Sequence, residues 1–306
     1  SSTLKSSSYS LTDEQLQEGL HENISTESYT FLQSGVIYSV SFEGEDLAGN
    51  KASGTLAELV TFDDELPVLT LTSPITGSSI NKVQISYNLG ETLSEGKLLI
   101  KRTGGLEDTR SPYSIPLSGE QLMKSEQLVF APAPQPNLVH GSVYQIIMEG
   151  EDFGGNKGTS DVIREIEFDS VYPEIALSNP ADGEFINSLV VSYNLSESLA
   201  EGKVILERTG GEVDPTRHII NLSDKDKSVG EYLNVSLAEK VNLVDGSIYS
   251  LWISASDAAS NESQSDVVKD ITFDFTNPLI TQVSPCLLYT SPSQRDATLS
   301  RMPSSA

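Results

Sequence analysis

Along most of the chain, apolar side chains recur at every second position. Tyr144, Ile146 and Met148 alternate with Gln145, Ile147 and Glu149, and Tyr249, Leu251 and Ile253 alternate with Ser250, Trp252 and Ser254. A period of two is the spacing of a β-strand with one face turned inward. About seven such runs, separated by clusters of Gly, Pro, Asn and Ser, fill each stretch of roughly 100 residues, which is the pattern of a two-sheet sandwich. The best helical candidate, residues 119–128 (GEQLMKSEQL), predicts one turn of helix at most. The expected fold class is therefore all-β, a series of sandwiches of about seven strands each.

The pattern is also written more than once. PVLTLTSPITGSSINKVQISYNLGETLSEGKLLIKRTGG (residues 67–105) realigns without a gap on PEIALSNPADGEFINSLVVSYNLSESLAEGKVILERTGG (residues 173–211), an offset of 106 from Pro67 to Pro173. One deletion after the TGG loop changes the offset to 105, so that Tyr38, Tyr144 and Tyr249 correspond, as do Leu11, Leu117 and Leu222, and Phe62, Phe168 and Phe273. Self-similarity at a fixed period is the signature of a repeat architecture. The expected organisation is the second half of a module over 1–66, whole modules over 67–172 and 173–277, and the first strand of a further module over 278–285. Residues 1–66 lack the strands that match 68–103, so an open sheet edge is expected there.

A third regularity sharpens the class. Leu138-x-x-Gly141-x-x-Tyr144, Leu243-x-x-Gly246-x-x-Tyr249 and Leu32-x-x-Gly35-x-x-Tyr38 each set a Tyr at the start of the penultimate strand, just after a Gly turn. This resembles the tyrosine corner of immunoglobulin-like and fibronectin type III sandwiches, where the hydroxyl satisfies backbone groups. With VSYNLSE, RTGG, the D-x-x-x-N loop and the closing FD-x-x-x-P, the chain from Ser1 to Pro285 resembles the tandem bacterial immunoglobulin-like repeats of large secreted or surface adhesin-type proteins. The resemblance implies an extracellular or cell-surface location in a bacterium and neighbouring repeats as partners. It is specific for fold and says little about function.

From Cys286 the composition changes. CLLYTSPSQRDATLSRMPSSA (residues 286–306) has no strand alternation, resembles translated sequencing adapter, and is set aside as a disordered artefact. Cys286 is the single cysteine, so no internal disulfide framework exists. The formal net charge is −25, with only 19 Lys and Arg spread along the chain, which argues against nucleic acid as a partner. No apolar run reaches about 18 residues, so no membrane span is expected.

Catalysis finds little support. His21, His140 and His218 occupy unrelated repeat positions, and no phosphate-cradling loop or G-x-S-x-G elbow is present. Arg102 and Arg208 in RTGG are read as parts of a Gly-Gly turn. Trp252, the one tryptophan, is read as sheet-face packing, although a half-exposed indole also suits a sugar.

The acidic loop EGEDLAGN, EGEDFGGN and SASDAASN (from Glu43, Glu149 and Ser254) carries the remaining chemistry. Asp followed by Gly or Asn accounts for a tight turn between the last two strands without any metal. In an immunoglobulin-like sandwich, however, the last strand of one module ends beside this loop of the next. That topology brings Asp63 toward Glu91, Asp152 and Asn156, and Asp169 toward Glu197, Asp257 and Asn261. Calcium takes six to eight oxygens, and junctional calcium, like that which stiffens cadherin arrays, is the candidate cofactor. The function expected is a non-catalytic spacer of a large adhesion-related surface protein. The alternative is accessory modules, with a polysaccharide or host-surface ligand, on a secreted polysaccharide-active enzyme.

Overall fold

The computed structural model describes residues 6–22 and 32–281. The expectations for 286–306, and for 278–285 from residue 282 onward, lie outside the described residues.

Strands β1 (Val36–Glu45) and β2 (Lys51–Phe62) form a two-stranded sheet. The first whole sandwich contains β3 (Leu69–Ser73), β4 (Ser79–Ile80), β5 (Ile85–Leu89), β6 (Glu95–Gly105), β7 (Tyr113–Pro116), β8 (Ser125–Phe130), β9 (Ser142–Glu151), β10 (Lys157–Thr159) and β11 (Ile163–Phe168). The second repeats it with β12 (Ile175–Asn179), β13 (Phe185–Ile186), β14 (Val190–Leu195), β15 (Glu201–Gly211), β16 (His218–Asn221), β17 (Gly230–Ser236), β18 (Ser247–Ser256), β19 (Glu262–Gln264) and β20 (Val268–Phe273). One sheet of each sandwich runs β3-β5-β8 or β12-β14-β17, and the other β4-β11-β9-β6-β7 or β13-β20-β18-β15-β16. The short β10 and β19 extend the hairpins of β9 and β18. Seven principal strands in a three-plus-four arrangement, with a short strand parallel to the last one, make an immunoglobulin-like, fibronectin type III-like sandwich. Residues Gly119–Leu122 form a single 3-10 turn, as the sequence predicts.

Burial follows the period of two. Along β9 and β18 every second residue is buried, because successive side chains of a strand point to opposite faces. Tyr87, Leu98, Ile100, Tyr144, Ile146, Met148 and Ile166 fill one core. Tyr193, Val204, Leu206, Tyr249, Leu251, Ile253 and Ile271 fill the other. Even irregularities repeat. Leu59, Glu165 and Asp270 occupy corresponding places in the closing strand, and each has φ near +60° (59°, 57° and 57°). The register slips there between Ile163 and Ile166, so the left-handed residue marks a bulge.

Candidate metal centres at the repeat junctions

The loop after β9 closes on itself. Asp152 Oδ1 accepts the Asn156 backbone N–H at 2.9 Å, and its Oδ2 accepts Asn156 Nδ2 at 2.9 Å. Asp257 and Asn261 reproduce this at 2.9 and 2.7 Å, and Asp46 and Asn50 do so at 2.8 and 2.7 Å. The turn chemistry is thus complete in all three copies. In the two whole sandwiches the asparagine does more. Asn156 Nδ2 also donates to the Asp63 carbonyl at 3.0 Å, and Asn261 Nδ2 to the Asp169 carbonyl at 3.1 Å. Each loop is thereby tied to the linker that precedes its own sandwich.

This tie gathers carboxylates from three places in the chain. Asp63 follows β2, Glu91 follows β5 and Asp152 follows β9, and each offers an oxygen within 4.8 Å of the others. Asp169, Glu197 and Asp257 form the equivalent group. Asp152 and Asp257 are buried, and the others are half-buried. Burial, then the negative charges of Asp152, Asp63 and Glu65, raise the Glu91 carboxyl above its ordinary range. Burial and the charges of Asp169 and Asp257 do the same to Glu197. Asp152 moves the other way: burial opposes its ionisation, but the Asn156 side chain and the backbone N–H groups of the turn outweigh burial. Glu197 Oε1 is buried with no hydrogen-bond partner.

The surroundings of the two groups differ. Ser34 Oγ donates to Asp63 Oδ1 at 2.9 Å, whereas His140 Nδ1 lies 3.1 Å from Asp169 Oδ1. Three carboxylates converging from separate elements offer hard oxygen ligands of the kind calcium takes. The asparagines hold the aspartates in place.

The tyrosine corner adds a feature that motif spacing missed. Tyr38, Tyr144 and Tyr249 each accept a backbone N–H from five residues upstream, Gln33, Val139 and Val244, at 2.8, 2.9 and 3.0 Å. In the whole sandwiches the hydroxyl then donates to a buried carboxylate, Tyr144 to Asp108 Oδ2 at 2.7 Å and Tyr249 to Asp214 Oδ2 at 2.6 Å. The signal for it was the recurrence of Asp108 as Asp214 at the repeat offset. RTGG is structural. Arg102 donates from Nε to the Leu106 carbonyl and from Nη2 to Gly105, and Arg208 bonds Glu212 and Gly211 in the same way. The last Gly is obligatory, since a Cβ on Gly105 or Gly211 would stand 2.1 Å from the carbonyl of Gly141 or Gly246. Trp252 carries the Arg217 guanidinium over its ring at 5.6 Å, a cation–π contact on the sheet face.

No family model matches the chain, and no curated protein matches it. Among solved structures it is similar to a tetra-tandem repeat in the extending region of a large adhesion protein, with 18 % identity over 78 % of this chain and 56 % of that one, and a TM-score of 0.28. It thus spans a little over half of that chain. The fibronectin(III)-like modules of Clostridium thermocellum CbhA give 15 % identity over 70 % of this chain and 100 % of theirs, with a TM-score of 0.36. A structure concerned with host cell surface retention of a 1.5-MDa bacterial ice-binding adhesin gives 12 % identity over 76 % and 73 %, with a TM-score of 0.26. The sandwich class rests on the strand order and pairing of this chain itself. No helix among the described residues is long and apolar enough to cross a membrane.

Proposed function

We propose that the chain is a non-catalytic spacer from an extracellular, adhesion-related bacterial protein, built of modules over 67–172 and 173–277 whose junctions are stiffened by calcium. Asp63, Glu91 and Asp152 would hold one ion and Asp169, Glu197 and Asp257 the other, with Asn156 and Asn261 fixing the aspartates. The observation that carries the reading is the convergence of three carboxylates from two successive repeats at each junction, with Glu197 Oε1 buried and unpartnered. Burial and like charge raise both glutamates above their ordinary range, the mark of crowded negative groups. A divalent cation relieves that repulsion. Short linkers, Asp63 to Pro67 and Asp169 to Pro173, leave few free residues and suit an extended array.

Extracellular calcium sites bind at about 10⁻⁴ to 10⁻³ M, and a tenfold excess of ligand stabilises by about 1.4 kcal/mol per site. That magnitude stiffens a joint and does not fold a sandwich. Trp252 fluorescence during denaturation reports the second whole sandwich alone, because the chain has one tryptophan. Its midpoint should rise on adding about 10 mM calcium, and small-angle scattering should show reduced flexing relative to chelated protein. Asp169→Ala should remove the Trp252 response, and Glu120→Ala, on the exposed 3-10 turn, should leave it intact. An unchanged midpoint and an unchanged scattering profile at that concentration would return these carboxylates to turn chemistry and solvation.

A further inference from the structure

The residue before each corner glycine has a task of its own. Gly35, Gly141 and Gly246 take φ of 75°, 72° and 76°, and each donates its N–H to the carbonyl that ends the closing strand, on Phe62, Phe168 and Phe273, at 2.9, 2.8 and 2.8 Å. That bond brings the outgoing linker beside positions 34, 140 and 245, which correspond at the repeat offset and carry Ser, His and Asp. Each side chain meets the linker. Asp64 N–H donates to Ser34 Oγ at 3.2 Å, Ser170 N–H to His140 Nδ1 at 3.3 Å, and Phe275 N–H to Asp245 Oδ1 at 2.5 Å. The donor is the same backbone group in every copy, on the second residue after the phenylalanine.

The grip differs from copy to copy. Ser34 Oγ accepts from Asp64 and at the same time donates to Asp63 Oδ1 at 2.9 Å. Asp245 accepts from the Phe275 N–H on one oxygen and from Thr276 Oγ1 on the other, the latter at 2.7 Å. His140 brings one atom to two tasks, because Nδ1 lies 3.3 Å from the Ser170 nitrogen and 3.1 Å from Asp169 Oδ1. A ring nitrogen either carries a proton and donates to the carboxylate, or carries none and accepts from the amide. His140 therefore makes one of these two bonds at a time. The far side of the same joint is tied by Asn261 of the next sandwich, which donates to the Asp169 carbonyl. Asp169 is thus held through its side chain by the sandwich before it and through its carbonyl by the sandwich after it.

We propose that position 140, with 34 and 245 as its counterparts, is the lock of each joint, and that histidine leaves the joint between the two whole sandwiches looser than serine would. The lock ties a linker to the sandwich that emits it, so the linker turns with that sandwich and bending is confined to its grip on the next. This goes beyond the calcium reading and does not rest on it, since the chain makes every bond of the lock by itself. A spacer whose joints differ at one side chain varies in stiffness along its length while its sandwiches stay alike.

The test uses the full chain in excess chelator, so that no bound cation holds Asp169 in place of the lock and the outcome is separate from that of the calcium experiment. Exchange of the Ser170 amide is followed by NMR, and flexing between 67–172 and 173–277 by small-angle scattering. His140→Ser should slow the Ser170 amide about three- to tenfold, as one added hydrogen bond does, and should reduce the flexing. His140→Ala should speed the same amide and increase the flexing, with the amides of β9 and β11 as protected as before and the Trp252 denaturation midpoint unchanged. The proposal is overturned if His140→Ser fails to slow the Ser170 amide, or slows it without reducing the flexing. It is also overturned if His140→Ala matches the unaltered chain in both measurements.

Discussion

The two whole sandwiches bury a carboxylate at the same corner and satisfy it differently. In the first, Asp108 Oδ2 accepts from Tyr144 and from Tyr113, at 2.7 and 2.8 Å. In the second, Tyr249 keeps its place, and His218 stands where Tyr113 did, with Nε2 2.8 Å from Asp214 Oδ2. The corner thus requires a second donor but not a particular side chain. The choice changes the electrostatics, because an imidazole can carry a charge and a phenol cannot donate without staying neutral. Burial raises both aspartates, and hydrogen bonds outweigh it in each. Asp108 is held below its ordinary range by Tyr144, Tyr113 and the Arg110 N–H. Asp214 is held down to about 2 by Tyr249, His218 and the Thr216 N–H. The cost falls on the tyrosines: burial, then the Asp108 hydrogen bond, pushes Tyr113 up to about 12.

The largest break in this comparison is removal of the acid. Asp214→Ala leaves the Tyr249 hydroxyl, the His218 ring and the Thr216 N–H without their acceptor, and should destabilise the second sandwich by about 2–3 kcal/mol, read from the Trp252 denaturation midpoint. An unchanged midpoint would mean that the network contributes nothing net. Acid should act on the same group. A carboxyl held below its unfolded value stabilises fully above that value, about 3.9, and the contribution is lost as pH falls through the folded value, about 2. Stability read by Trp252 should therefore drop as pH falls from about 4 toward 2. Asp214→Asn should flatten the dependence in that window.

Tyr249→Phe is a smaller lesion. It strips one donor from Asp214 and the acceptor from the Val244 N–H, for an expected loss of about 1–2 kcal/mol. The equivalent Tyr144→Phe should cost the first sandwich a similar amount by hydrogen exchange, and a large difference between the two would show that the second donor matters more than the first. The smallest effect is expected from His218→Tyr, which installs the donor of the sister sandwich. A stability change within about 1 kcal/mol is expected, and a larger loss would mean that the two corners have diverged in packing as well as in chemistry.

The corner also separates what was legible from what was not. Each tyrosine was visible, because its spacing from the Gly turn is local and recurs three times. Its carboxylate was not. Asp108 and Asp214 lie 36 and 35 residues before their tyrosines, in segments without strand period, and only their recurrence at the repeat offset marked them. At the junctions the strand order argued from the sandwich topology named Asp63, Glu91 and Asp152 together, and the structure sets them within 4.8 Å. The role of Asn156 as a tie to the preceding linker carbonyl needed coordinates, since nothing in D-x-x-x-N tells which atoms the amide will reach.

By itself the sequence determined the strands, their inward faces and the repeat, because a period of two and a fixed offset are properties of neighbouring positions on one chain. It also determined the turns, since Asp46, Asp152 and Asp257 bond groups within four residues of themselves. Only the tertiary structure decided which acids share space and that Glu197 Oε1 loses water without gaining a partner. Those outcomes depend on what is stacked or joined across tens of residues. Burial and like-charge proximity are set by the packing of distant segments, so a loop that reads as a self-contained turn becomes part of a three-carboxylate cluster at Asp152 and Asp257.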